Sequence, residues 1–94
     1  MKIDLSTRVV VPSGILFREL GGECVLLNLG SESYFGLDEV GTEMWRVLTG
    51  RSALGSALEE LLESFDAERG VLERDLIGLA EQLLRHGLLE LDTR

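Results

Sequence analysis

Hydrophobic positions along this chain follow two different rhythms. Between Ile15 and Leu37 they come in short runs separated by glycine-bearing turns, and from Asp38 onward they recur every three or four residues. The first rhythm predicts strands and the second helices. Ile15–Leu20 and Glu23–Leu29 flank Gly21-Gly22, the composition of a two-residue hairpin turn that needs positive φ. Leu26, Leu27 and Leu29 form an apolar run that can be covered on both faces, and a tight Gly30-Ser31-Glu32 turn follows. Ser33–Leu37 is the third strand, with the β-favouring rings of Tyr34 and Phe35. Side chains alternate along a strand, so these two rings face opposite sides and one of them is expected in the core. Together the three strands predict a small antiparallel meander over residues 15–37.

Asp38 stands where a helix N-cap is wanted, just before Val40, Met44, Val47 and Leu48 at helical spacing. Helix one is predicted over about Asp38–Thr49, with Trp45 as a core anchor and Gly50 as its C-cap. Helix two spans about Ser52–Phe65, where Leu54, Leu58, Leu61, Leu62 and Phe65 make one stripe and Glu59, Glu60 and Glu63 a solvated face. A loop from Asp66 to Gly70 leads to helix three, about Val71–His86, which ends at Gly87. Leu88-Leu89-Glu90-Leu91 has the length of a final β-wing, and residues 1–14 read as an arm in which Val9-Val10-Val11 can pair until Pro12-Ser13-Gly14 breaks the run. The fold class is α+β: an N-terminal three-stranded antiparallel sheet, three α-helices and a short C-terminal wing, in one domain over residues 1–94.

Helix three carries more apolar surface than its neighbour. At ~100° per residue, Leu72, Leu76, Ile77, Leu79, Ala80, Leu83 and Leu84 fill an arc of roughly 160°, where a stripe nearer ~100° suffices for one-sided packing. The surplus has two readings. The sheet, the wing or a second copy of the chain covers it, or one flank bearing Leu76, Leu79 and Leu83 stays open as half of a groove. In the second case Glu73 and Asp75 border that groove.

Composition narrows the function. Ninety-four residues with 45% hydrophobic content can bury one modest core. The start lacks the apolar region of a signal peptide and no run reaches transmembrane length, so a cytoplasmic protein is expected. The single cysteine, Cys24, lies in a strand and reads as a small buried hydrophobe in a reducing compartment. Acidic residues number 17 against 9 basic ones, for a net charge of −8. Lys2 is the sole lysine and the arginines are scattered, so no basic stripe exists to neutralise phosphates or meet an anionic membrane. Nucleic acid and membranes are therefore not expected partners. His86 is far along the chain from Cys24 and suits a helix C-terminus, and one Cys with one His cannot build a zinc site. No phosphate-cradling glycine motif is present, and neither an enzyme nor a cofactor is expected.

The order of these features carries a resemblance. An LLNL strand, a turn, SYFGLDEVGTEMWRVLTG, an amphipathic helix ending in Phe65 and a leucine-rich helix closing with HGLLEL resemble the PqqD-like proteins over about Ile15 to Leu91. These are peptide-recognition domains of pathways for ribosomally made, post-translationally modified peptides. Tyr34, Phe35, Leu37, Asp38, Gly41 and Trp45 look most like the free-standing leader-binding subunit of lasso peptide biosynthesis.

The resemblance implies a winged helix-turn-helix unit over residues 38–91 behind the sheet. It also implies that a precursor's leader segment adds as a strand to Ser33–Leu37 and lies between that strand and helix three. By the same match, Tyr34, Phe35, Gly36 and Leu37 are peptide-binding positions of the strand, and Leu72, Asp75, Leu76, Leu79 and Leu83 those of helix three. The chain, as monomer or weak homodimer, then presents the precursor to a separate leader peptidase and a cyclase. Three alternatives stand beside it: a peptide chaperone for another modifying enzyme, such as a radical enzyme of cofactor biosynthesis, a winged-helix DNA-binding regulator, and a purely structural dimerisation module. For the regulator, helix three offers only Arg74, Arg85 and His86 to phosphates.

Overall fold

The computed structural model describes residues 3–50 and 53–92. Five strands and three helices follow in the order β1 (Val9–Val10), β2 (Ile15–Leu20), β3 (Glu23–Asn28), β4 (Ser33–Leu37), α1 (Glu39–Gly50), α2 (Leu54–Ser64), α3 (Arg69–Arg85) and β5 (Glu90–Leu91). Strands β2, β3 and β4 make the expected antiparallel meander, in that spatial order. Gly21 and Gly22 take φ of 61° and 86°, the pair of positive angles a two-residue hairpin turn demands. At the second turn it is Glu32, at φ 57°, that goes left-handed rather than Gly30.

The sheet is laid over the helices by one face only. Cys24 and Leu26 of β3 and Leu37 of β4 are buried against Met44, Trp45 and Leu48 of α1. The α2 stripe of Leu54, Ala57, Leu58 and Leu61 and the α3 stripe of Leu72, Leu76, Ala80 and Leu83 complete one core, sealed by Leu88 and Leu89. Trp45 is 1% exposed and meets the Phe17 ring edge-on at 6.0 Å, which confirms it as a core anchor. Its Nε1 has no hydrogen-bond acceptor among the described residues.

The arm is not a loose tail. Val9 and Val10 pair antiparallel with Leu91 and Glu90, so the C-terminal strand is partnered by the arm. Further back, carbonyls of the arm cap α2: Leu54 N–H donates to Thr7 O at 3.0 Å and Gly55 N–H to Leu5 O at 2.8 Å. Ala53 supplies no side-chain cap, and these two bonds satisfy donors that a helix start otherwise leaves open. The approach is close: a Cβ at Gly55 would sit 3.2 Å from Leu5 O, so any larger residue there would push the arm back by a few tenths of an ångström. Ser52, the expected helix start, lies outside the described residues.

One ion pair ties the sheet to α1. Arg46 Nε and Nη2 donate to the two carboxylate oxygens of Glu19 at 2.9 and 2.8 Å, and Nη1 also reaches Glu43. The hydrogen bonds from Arg46, reinforced by its charge, hold the Glu19 carboxyl below the ordinary glutamate value and push the Arg46 guanidinium up. A depressed carboxyl pKa contributes stability that is complete above the unfolded value and is lost as the pH falls through the folded one. Glu19→Gln is therefore expected to lower the urea midpoint slightly at pH 7, as befits an exposed pair. That difference from the parent protein should close on acidification. A gap that widens in acid would show the pair does not stabilise the fold.

Candidate functional site

Of the two edge strands of the sheet, β2 and β4, it is β4 that lies against the end of α3, and it has a strand neighbour on one side only. The ladder shows which of its backbone groups are free. Leu29 N–H donates to its register partner Gly14 O at 2.9 Å, so hydrogen-bonded pairs of β2 and β3 include Leu27 with Leu16 and Val25 with Arg18. Backbone groups alternate in direction along a strand, so Cys24, Leu26 and Asn28 turn theirs toward β4. Their partners are Leu37, Phe35 and Ser33. The N–H and C=O groups of Tyr34 and Gly36 therefore point away from the sheet, a template for a further strand.

Side chains on β4 split as alternation requires. Tyr34 stands on the outer face and is 75% exposed. Phe35 turns inward, half-buried, and its ring meets that of His86 at 5.4 Å and 57°. Leu37 is buried in the core. The strand enters α1 through a firm junction: Asp38 Oδ1 accepts from Gly41 N–H at 2.8 Å, the expected N-cap, and the buried Thr42 hydroxyl donates to Leu37 O at 3.5 Å.

Asn28 fixes the far end of the site. Its Oδ1 accepts from the N–H groups of Gly30 and Ser31 at 3.0 and 3.3 Å, shaping the β3–β4 turn. Its Nδ2 donates to the carbonyls of His86 and Gly87 at 3.2 and 3.4 Å, where α3 ends. One side chain thus anchors the end of α3 against the start of β4.

On α3 the expected groove flank needs correction. Leu72, Leu76 and Leu83 are buried at 4%, 0% and 0%, and with Ala80 they form the stripe that packs into the core. Of the four leucines expected to bind peptide on this helix only Leu79 is half-open, while Asp75 is exposed beside it. The reason is geometric. At ~100° per residue, the four buried positions cluster within roughly 80°, and Leu79 sits at their margin toward Asp75, Gln82 and His86. Glu73 falls on the opposite margin, half-buried, and does not border the same flank as Asp75. Asp75, Leu79 and Gln82 share an open depression of about 440 Å³ with Arg74, Gly78, Glu81 and Arg85, so α3 alone lines it and β4 contributes no residue. His86 reads from sequence as a helix cap, and it is one, its N–H donating to Gln82 O at 3.1 Å. Its ring against Phe35 was legible only through its seven-residue spacing from Leu79.

Burial, then the charge of Glu19, pushes the Cys24 thiol up, away from the reactive thiolate. Among the described residues no group of three His, Cys, Asp or Glu side chains could hold a metal ion. Nor is any described helix long and apolar enough to cross a membrane.

The arrangement defines a small α+β domain with a three-stranded antiparallel sheet, three helices and an unpaired sheet edge beside the last helix. The chain belongs to the PqqD family: the family model described as Coenzyme PQQ synthesis protein D matches residues 23–89. Among solved structures it is similar to TbiB1 in complex with the TbiA(beta) leader peptide. That likeness has 29% identity and a TM-score of 0.79, and it covers 85% of this chain and 93% of that one. Comparison with curated proteins gives no match.

Proposed function

We propose that this protein binds the leader segment of a ribosomally made precursor peptide by strand addition to β4. It presents that precursor to a separate leader peptidase and cyclase in lasso peptide biosynthesis, with no catalysis of its own. The observation that carries the reading is the pair of outward-facing backbone groups at Tyr34 and Gly36. Main-chain bonds to such an edge give affinity, and flanking side chains give selectivity. On the helix side of the added strand stand Phe35, Asp75 and Leu79, with Leu37, Leu72, Leu76 and Leu83 as the packed floor that holds them. Support comes from the TbiB1 likeness, which spans most of both chains and is to a leader-bound protein. In this reading the chain is one recognition domain, and the α2–α3 pair with the β1–β5 ribbon corresponds to a winged helix-turn-helix.

A second reading has its own support. The family model's description names coenzyme PQQ synthesis, which fits a peptide chaperone for a different modifying enzyme. A DNA-binding regulator has less in its favour, because a net charge of −8 repels a polyanion.

Fluorescence anisotropy separates these readings. A fluorescein-labelled leader peptide of a lasso precursor is expected to bind saturably, and a random duplex at physiological salt is expected not to bind. Binding to the duplex with none to the leader would overturn the proposal. A neighbouring gene for an asparagine-synthetase-like cyclase would favour the lasso pathway over the chaperone reading.

A further inference from the structure

Gly36 has no backbone reason to be glycine. It lies mid-strand and outside the left-handed region, and a Cβ placed there would meet nothing within 4 Å. Glycine inside a strand costs stability and offers no side chain to pack, and such positions often mark close approach by a ligand. The register shows what surrounds the gap. On the outer face Gly36 is paired with Val25, which is paired in turn with Arg18, and the adjacent row is Tyr34, Leu27 and Leu16. Val25, Leu16 and Tyr34 are 46%, 55% and 75% exposed, a concentration of apolar surface on the face turned away from the core. Together with Arg18, Leu27 and Phe17 they line an open concavity of about 530 Å³. The patch runs to the free edge of β4 and stops at the bare Cα of Gly36.

Resting on the strand-addition reading, we infer that Gly36 creates a side-chain subsite on this outer face. The occupant is a large apolar side chain of the leader itself, from the residue that pairs across the edge with Gly36. A residue opposite Gly36 projects its side chain to the same face. With no Cβ in the way, that side chain leans across the strand onto Val25, walled by Tyr34. A ring or long aliphatic chain laid over a strand glycine restores the packing that glycine forgoes, as aromatic residues do for edge glycines in sheets. The selectivity of the site then comes from two sides: the α3 flank reads one set of alternate leader residues, and the Tyr34–Gly36–Val25 notch reads the other.

The experiment uses the labelled leader described above and a set of its single-alanine variants. Gly36→Val keeps the backbone donor, fills the notch and favours a strand, so its thermal midpoint is expected to match or exceed the parent's. Its affinity for the intact leader is expected to fall by roughly tenfold or more, as when a hydrophobic pocket loses its fit. Gly36→Ala should fall between the two. Against the leader variant in which the opposing large residue is alanine, parent and Gly36→Val should bind within about threefold of each other. Unchanged binding by Gly36→Val overturns the inference while leaving strand addition intact. So does an equal loss against every alanine variant, which would mark a general disturbance of the edge. Failure of the parent protein to bind any leader variant overturns the strand-addition reading and the inference with it.

Discussion

Leu76→Glu is expected to leave no cooperative unfolding transition at 25 °C, whereas Leu79→Glu is expected to keep the fold and lose leader binding. Leu76 is 0% exposed, in the stripe that joins α3 to the core. Deleting a buried leucine side chain costs about 2–5 kcal/mol, and the unpaired carboxylate adds to that. A domain of this size holds only about 5–15 kcal/mol in total, so the combined loss is of the same order as the whole stability. Leu79 sits at the margin of the same helix, half-buried beside the exposed Asp75. A glutamate there can turn toward water, and far-ultraviolet circular dichroism with a thermal melt should show a folded protein. Anisotropy should then show little leader binding, because the flank facing the added strand has become polar and more acidic. If Leu79→Glu unfolds as completely as Leu76→Glu, this flank is packing surface and α3 takes no part in a groove.

The second large effect concerns the edge itself. Gly36→Pro removes one of the two outward N–H donors and sets a pyrrolidine ring on the edge that a leader strand must approach. Proline is tolerated on edge strands when its missing N–H faces away from the ladder, and that is the direction the β3–β4 register gives for Gly36. The fold should survive. Binding should weaken by more than roughly tenfold, from a lost hydrogen bond worth about 0.5–1.5 kcal/mol together with the clash of the ring. In spectra of the parent protein, amide shifts on titration should concentrate on Ser33–Leu37 and on the Asp75, Leu79 and His86 flank. Shifts confined to the Gly21-Gly22 hairpin tip would place binding elsewhere.

These two effects show where sequence and structure divide the explanation. The elements were legible because each is encoded locally. Gly21-Gly22 demands a tight hairpin, Asp38 caps the helix that follows it, and the spacing of Leu54, Leu58 and Leu61 presents one apolar face. The absence of a basic stripe likewise follows from composition alone, without any coordinates. What periodicity could not supply is how much of an apolar arc is covered. The roughly 160° arc of α3 looked wide enough to spare a flank containing Leu76 and Leu83, yet coverage depends on neighbours distant in sequence. Once the core is assembled, the arc is open only at its two margins, at Leu79 on one side and at Ile77 and Leu84 on the other.

The site divides in the same way. Alternation alone placed Tyr34 and Phe35 on opposite faces, but the direction of the core decided that Phe35 turns toward His86 and Tyr34 toward the outside. Which amides of β4 are free depends on the register of two neighbouring strands, set by hydrogen bonds such as Leu29 to Gly14. No single segment contains that information. The fastening of α3 to the β3–β4 turn by Asn28 spans 58 residues of chain and appears only when the two ends are brought together. The sequence by itself therefore determined the parts, their order and the sign of the surface charge. Tertiary packing decided which leucines are floor, which backbone groups are offered, and which face of the sheet is left bare at Gly36, because each is a property of neighbours that the chain brings together only on folding.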